Sequence, residues 1–152
     1  MILDASALLA FLLSEPGRER VAEALLQNAT MTTVNFAEVA TKYVLRGARA
    51  QAETLSDRLP VTLVPVDEDL ALRSALMADV TRQAGLSLGD RICLALGQRS
   101  GQTILTADRA CWMLPHRSAH RSSWCAELTA SGRPGAIDRQ GRSVDILAER
   151  AA

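Results

Sequence analysis

Short apolar runs alternating with longer segments of helical spacing are what most constrain this chain. Ile2-Leu3, Met31-Thr32-Thr33, Val61-Thr62-Leu63-Val64-Pro65 and Thr103-Ile104-Leu105-Thr106 are brief, strand-like and bounded by polar or turn-forming residues. Between them, apolar positions recur every three or four residues. Ala7 to Leu13 reads as a helix that stops near Glu15-Pro16-Gly17, and Arg18 to Gln27 carries Val21, Ala22, Ala24 and Leu25 at helical spacing. A helix from Val34 runs through Phe36, Ala37, Ala40, Val44 and Leu45 to Gly47, and another spans about Ala48 to Arg58 before Pro60. Asp67 caps a long helix through Leu70, Leu72, Ala75 and Leu76, and Ser87 opens one carrying Ile92, Cys93, Leu94 and Leu96 towards Gly101. Parallel strands need crossovers of about a dozen residues or more, usually helical. The order of elements therefore predicts an α/β fold: a central, mostly parallel sheet flanked by helices on both faces.

The bulk properties suit one soluble domain. The 152 residues are 48% hydrophobic and 22% charged, within the ordinary globular range, and are enough to bury a core. Aromatic residues make up only 3%, so that core must be built from Leu, Ala, Val and Ile. The 17 basic and 17 acidic side chains cancel, which argues against a tight stand-alone nucleic-acid binder held by phosphate contacts. An enzyme that meets nucleic acid through a metal ion is less constrained, because the ion brings its own charge. Three cysteines, Cys93, Cys111 and Cys125, lack metal-ligand spacing and favour a reducing, cytoplasmic setting over a disulfide framework. His116 and His120 lie four residues apart but lack the glutamate of a HExxH pattern, and are read as surface residues. Asp4 interrupts the first apolar run, so neither a signal peptide nor a membrane span is expected.

Four acids stand at one end of the strand-like runs. Asp4 follows Ile2-Leu3, Glu38 lies about a turn beyond Met31-Thr32-Thr33, Asp108 follows Thr103-Ile104-Leu105, and Asp90 is in the first turn of the Ser87 helix. Ligands of open parallel sheets gather outside the carboxyl ends of the strands. Carboxylates clustered there repel one another, and a bound cation is the usual remedy, with all-oxygen ligands favouring Mg²⁺ or Mn²⁺. Each acid also has a purely structural explanation. Ser87-x-x-Asp90 and, less closely, Asn35-x-x-Glu38 match a capping box, Asp4 and Asp108 suit N-caps, and Thr33 suits a cap of its own helix. The four together, from distant stretches of chain, favour a site.

Four segments carry a more specific signal: Leu3-Asp4-Ala5-Ser6-Ala7-Leu8-Leu9-Ala10, Thr33-Val34-Asn35-Phe36-Ala37-Glu38-Val39, Gly85-Leu86-Ser87-Leu88-Gly89-Asp90-Arg91 and Leu105-Thr106-Ala107-Asp108-Arg109-Ala110. In order, spacing and flanking residues the chain resembles the PIN-domain ribonucleases, and among them the VapC-like toxins of bacterial toxin–antitoxin pairs. The resemblance covers about residues 1–112. It implies a PIN-like fold, dependence on Mg²⁺ or Mn²⁺, and endonucleolytic cleavage of RNA. It makes Asp4, Glu38, Asp90 and Asp108 the catalytic quartet, with Asp4, Asp90 and Asp108 on the metal. It also places Ser6, Asn35 and Thr106 as the polar residues that orient them. A cognate antitoxin and a homodimer are the partners it implies. Apolar positions at Phe11, Leu12 and Leu13 and at Val39 and Tyr43 suit such an interface, but are assigned to the core by preference.

Residues 113–152 fall outside that pattern. Leu, Val and Ile thin out between Pro115 and Arg142, and Gly132-Arg133-Pro134-Gly135 breaks any regular element, with Ser143 to Leu147 as one late strand or helix. A native extension, a disordered basic tail and translation in a shifted frame compete, the last being preferred; it would leave a sheet edge missing. Rival functions fare worse. A receiver domain needs paired acids near the first strand and a lysine beyond the last, whereas Lys42 is the only lysine. A haloacid-dehalogenase-type phosphatase needs Asp-x-Asp where this chain has Asp4-x-Ser6. The remaining alternative is a non-catalytic PIN-like module that only engages an antitoxin.

Overall fold

The computed structural model describes residues 1–108 and the strand segments 125–127, 136–137 and 143–144. β1 (Ile2–Leu3) leads directly into α1 (Ala5–Leu12), followed by α2 (Arg18–Leu26). β2 (Thr30–Thr32) leads into α3 (Thr33–Leu45), with α4 (Arg49–Glu53) and α5 (Leu55–Arg58) behind it. After β3 (Thr62–Val64) come α6 (Glu68–Leu76), α7 (Ala78–Thr81) and α8 (Leu88–Ser100), which returns the chain to β4 (Ile104–Thr106). β5 (Cys125–Glu127), β6 (Ala136–Ile137) and β7 (Ser143–Val144) complete the described elements.

The main sheet has the order β3-β2-β1-β4-β5, and every neighbouring pair is parallel. The mostly parallel sheet expected from the sequence is thus parallel throughout, with β6 and β7 forming a separate antiparallel pair. The chain steps outward from β1 to β2 to β3, then crosses back to place β4 on the other side of β1. That reversal makes the carboxyl ends of β1 and β4 the topological switch point, where a crevice opens in such sheets.

Side chains alternate across a strand, and the two halves of the core show it. Ile2 and Ile104 face one cluster with Leu70 of α6 and Cys93, Leu94, Ala95 and Leu96 of α8. Leu3, Met31 and Leu105 face the other, packed by Ala7 and Leu8 of α1, Val21 and Leu25 of α2, Val39 of α3 and Leu55 of α5. Helices therefore cover both faces. Val39 belongs to the core, with Phe11, Leu12 and Tyr43 packed against it, while Leu13 is exposed.

Local departures from the expected elements have local causes. The helix foreseen over 48–58 is broken at Thr54, whose hydroxyl turns back to the Ala50 and Gln51 carbonyls. Asp67 caps α6 as expected, accepting from the Leu70 amide at 2.9 Å, and also pairs with Arg99 of α8 at 2.6 Å. That helix ends at Leu76, before a separate turn, α7. Cys111, His116, His120 and most of the stretch after Trp112 lie outside the described residues. Among the described residues, no helix is long and apolar enough to cross a membrane.

α8 approaches β4 closely at Gly97, where an added Cβ would sit 2.6 Å from Ile104 Cδ1 and 3.0 Å from Cγ1. Gly→Ala in a helix normally stabilises. Gly97→Ala should instead lose about 1–3 kcal/mol through overpacking, measured by urea unfolding, with Ile104→Val restoring part of the loss.

Candidate active site

β1 ends at the site, and Asp4 is the first residue beyond it. The Asp4 backbone continues the sheet register, its amide donating to the Leu105 carbonyl at 3.0 Å. Its side chain caps α1 while only 4% of the residue is exposed. A carboxylate so buried needs donors, and three elements supply them. The Ser6 hydroxyl of α1 donates to Oδ2 at 2.6 Å, the Thr106 hydroxyl of β4 donates to the same oxygen at 3.0 Å, and Asn35 Nδ2 of α3 donates to Oδ1 at 3.1 Å.

Those donors are themselves held. Ser6 Oγ accepts from the Ala107 amide and Thr106 Oγ1 from the Asp108 amide, each at 3.0 Å, so the turn after β4 is tied to the start of α1. Asn35 is fully buried and fixed by Thr32, the N-cap of α3, whose Oγ1 accepts from the Asn35 amide at 3.1 Å. Thr32 Oγ1 also donates to Asn35 Oδ1, which turns the Nδ2 group towards the carboxylates. Thr33 begins the helix rather than capping it, and Asn35-x-x-Glu38 is no capping box: Asn35 stands in the first turn of a helix that Thr32 caps. Thr32 escaped the sequence reading. The available signal was a hydroxyl residue three before a buried asparagine at a strand-to-helix junction.

Glu38 follows Asn35 by one turn on α3 and is half-buried, with its Oε2 3.5 Å from Asn35 Nδ2. It lies against Gly89 of α8, where an added Cβ would come within 2.7 Å of its Cδ and Oε2. Asp90 is fixed by a complete capping box: Ser87 Oγ accepts from the Asp90 amide at 3.2 Å, and Asp90 Oδ2 accepts from the Ser87 amide at 2.7 Å. The structural explanation of Asp90 is therefore correct, yet it engages Oδ2 and leaves Oδ1 outside the cap. Asp4 and Asp90 line a common cavity of about 10 Å³ with Cys93, Leu94, Ile104 and Thr106, about the least space that holds one water.

The electrostatics join three of the four predicted acids. Burial pushes the Asp4 carboxyl above its ordinary value and Asp90 adds to the rise, against the lowering effect of the Ser6 and Thr106 hydrogen bonds. Burial likewise raises Glu38, with Asp4 and Asp90 adding repulsion and Asn35 and Lys42 opposing it. Asp108 is joined differently, through its amide on Thr106. Among the described residues, no three Asp, Glu, His or Cys side chains are gathered tightly enough to hold a metal ion. The donor set nonetheless suits a hard cation: all its atoms are oxygens, and the ionised forms of Asp4 and Glu38 are disfavoured by burial and by neighbouring carboxylates.

This crowding predicts a stability cost. With the folded value of Glu38 raised above 4.5, its ionised form weakens the native state at neutral pH, and the cost disappears below about pH 4.5, where Glu38 is protonated in both states. Glu38→Gln should raise Tm by about 1–3 °C at pH 7, a small gain because water screens this half-exposed group. The difference should vanish near pH 4, as followed by thermal unfolding across pH.

The PIN-domain family model matches residues 1–112. Over 114 residues the chain is 33% identical to Ribonuclease VapC of Mycolicibacterium smegmatis, covering 69% of this chain and 88% of that protein. Among solved structures it resembles a toxin–antitoxin complex from Klebsiella pneumoniae, with TM-score 0.58, 18% identity, and 74% and 89% of the two chains covered. It also resembles VapC20 of Mycobacterium tuberculosis, described as a sarcin–ricin-loop-cleaving toxin, with TM-score 0.58, 17% identity, and 75% and 95% covered. At such identities the structures speak for the fold, and they agree with the family model: the chain belongs to the PIN-domain family.

Proposed function

We propose that this chain is a metal-dependent endoribonuclease, the toxin of a toxin–antitoxin pair, with its catalytic unit in residues 1–112. The observation that carries the reading is Asp4: a buried carboxylate at the switch point, held by donors from three elements and in the field of Asp90 and Glu38. The 33% identity to a ribonuclease supports RNA as the substrate. The resemblance to a toxin–antitoxin complex supports an antitoxin partner. A homodimer and a cytoplasmic location belong to the same reading.

Asp4, Asp90 and Asp108 would hold Mg²⁺ or Mn²⁺, with Glu38 beside them. Such an ion supplies positive charge against the phosphate and acidifies water at neutral pH. The chain's own residues provide the positioning. Ser6, Thr106 and Asn35 fix both oxygens of Asp4, so it needs little reorganisation when a ligand arrives. The capping box sets Asp90, and Asn35 engages Oε2 of Glu38, whose carboxylate would orient or deprotonate an attacking water. Burial and the neighbouring carboxylates raise the proton affinity of Glu38, as such a role requires.

The test is cleavage of a mixed RNA pool by purified, antitoxin-free protein with Mg²⁺, Mn²⁺ or EDTA. The wild type should cut only with metal, and Asp4→Asn should lose at least about 100-fold in rate. Absence of cleavage by folded wild type would instead identify a non-catalytic PIN-like module that only engages its antitoxin.

A further inference from the structure

Glu38 of α3 packs its carboxylate against Gly89 of the neighbouring helix α8. Gly89 is buried in the first turn of α8, between the Ser87 cap and Asp90. Glycine there has no conformational justification: Gly89 lies within the helix and lacks the positive φ of Gly85 and Gly101. Alanine would favour the helix. What glycine provides is space, since an added Cβ would lie 2.7 Å from Glu38 Cδ and from Oε2, whereas carbon atoms rest about 3.5–4.0 Å apart.

We propose that Gly89 is a positioning residue for Glu38, its missing side chain admitting the carboxylate between α3 and α8 beside Asp4 and Asp90. This rests on the ribonuclease reading for its functional consequence, though not for the contact itself. The obstructing atoms are the far end of a flexible side chain, not backbone. A methyl group at residue 89 therefore displaces the carboxylate by about 1 Å and leaves the packing of the two helices intact. Asn35 Nδ2, already 3.5 Å from Oε2, loses its hold on the displaced group. An error of that size in a reacting or orienting group can cost about 100-fold in rate. A residue that served only the fold would have the opposite signature, since Gly→Ala in a helix with room stabilises.

Two double-mutant cycles test this, each with Gly89→Ala, Glu38→Ala and the double variant. In the first, RNA cleavage with Mn²⁺ is measured. Gly89→Ala alone should lose about 10- to 100-fold, and should cost nothing further once Glu38 is alanine. In the second, thermal unfolding is followed without metal. Gly89→Ala should raise Tm by about 2–4 °C in the Glu38→Ala background, and by clearly less with Glu38 present. Wild-type cleavage by Gly89→Ala, or equal Tm increments in both backgrounds, would overturn the proposal. A wild type that cuts no RNA would remove the ribonuclease reading, and the thermal cycle would still decide whether Gly89 makes room for Glu38.

Discussion

A carboxylate that is buried must be surrounded by donors or it destabilises the fold that buries it. Asp4 meets that demand from three separate stretches of chain: Ser6 on its own helix, Asn35 on α3 and Thr106 at the end of β4. These residues are far apart in sequence and meet only because β1 lies beside β4 and β2 in a parallel sheet. The fold and the site are thus one set of contacts. Any rearrangement that separated the carboxyl ends of these strands would leave Asp4 buried and unsatisfied.

The same economy has a cost. Asp90 raises the proton affinity of Asp4, and Asp4 and Asp90 together raise that of Glu38, so the fold carries repulsion a purely structural arrangement would avoid. Proteins tolerate such conflict where function needs it. Around it, a complete capping box holds Asp90 and Thr32 orients Asn35.

Much of this was legible in the sequence, for identifiable reasons. The strands were short, with Ile2, Leu3, Met31, Ile104 and Leu105 supplying apolar core positions, and the helices carried clear cap signals at Asp67 and Ser87. Alternation of the two types implied crossovers and hence a parallel sheet. The acids were visible because each follows a strand or opens a helix. What stayed hidden depends on tertiary contact. Thr32 shows in sequence only as a hydroxyl residue three before an asparagine, and that it aims the Asn35 amide appears only in the folded chain. Gly89 looks like a weak helix residue until Glu38 is seen against it. The break at Thr54 arises from a hydroxyl turning back on its own helix, which apolar periodicity does not register.

Whether the Asp4 carboxylate anchors a site for a divalent cation, as proposed, is decided by binding of Mn²⁺ to the purified protein. Titration followed by electron paramagnetic resonance should show Mn²⁺ taken up by the wild type and by Asp69→Asn, whose carboxylate pairs with Arg73 away from the site. Asp4→Asn and Asp90→Asn should each weaken that binding at least about tenfold. Uptake that is unchanged in both site variants, or absent from folded wild type, would mean that Asp4 anchors no cation site.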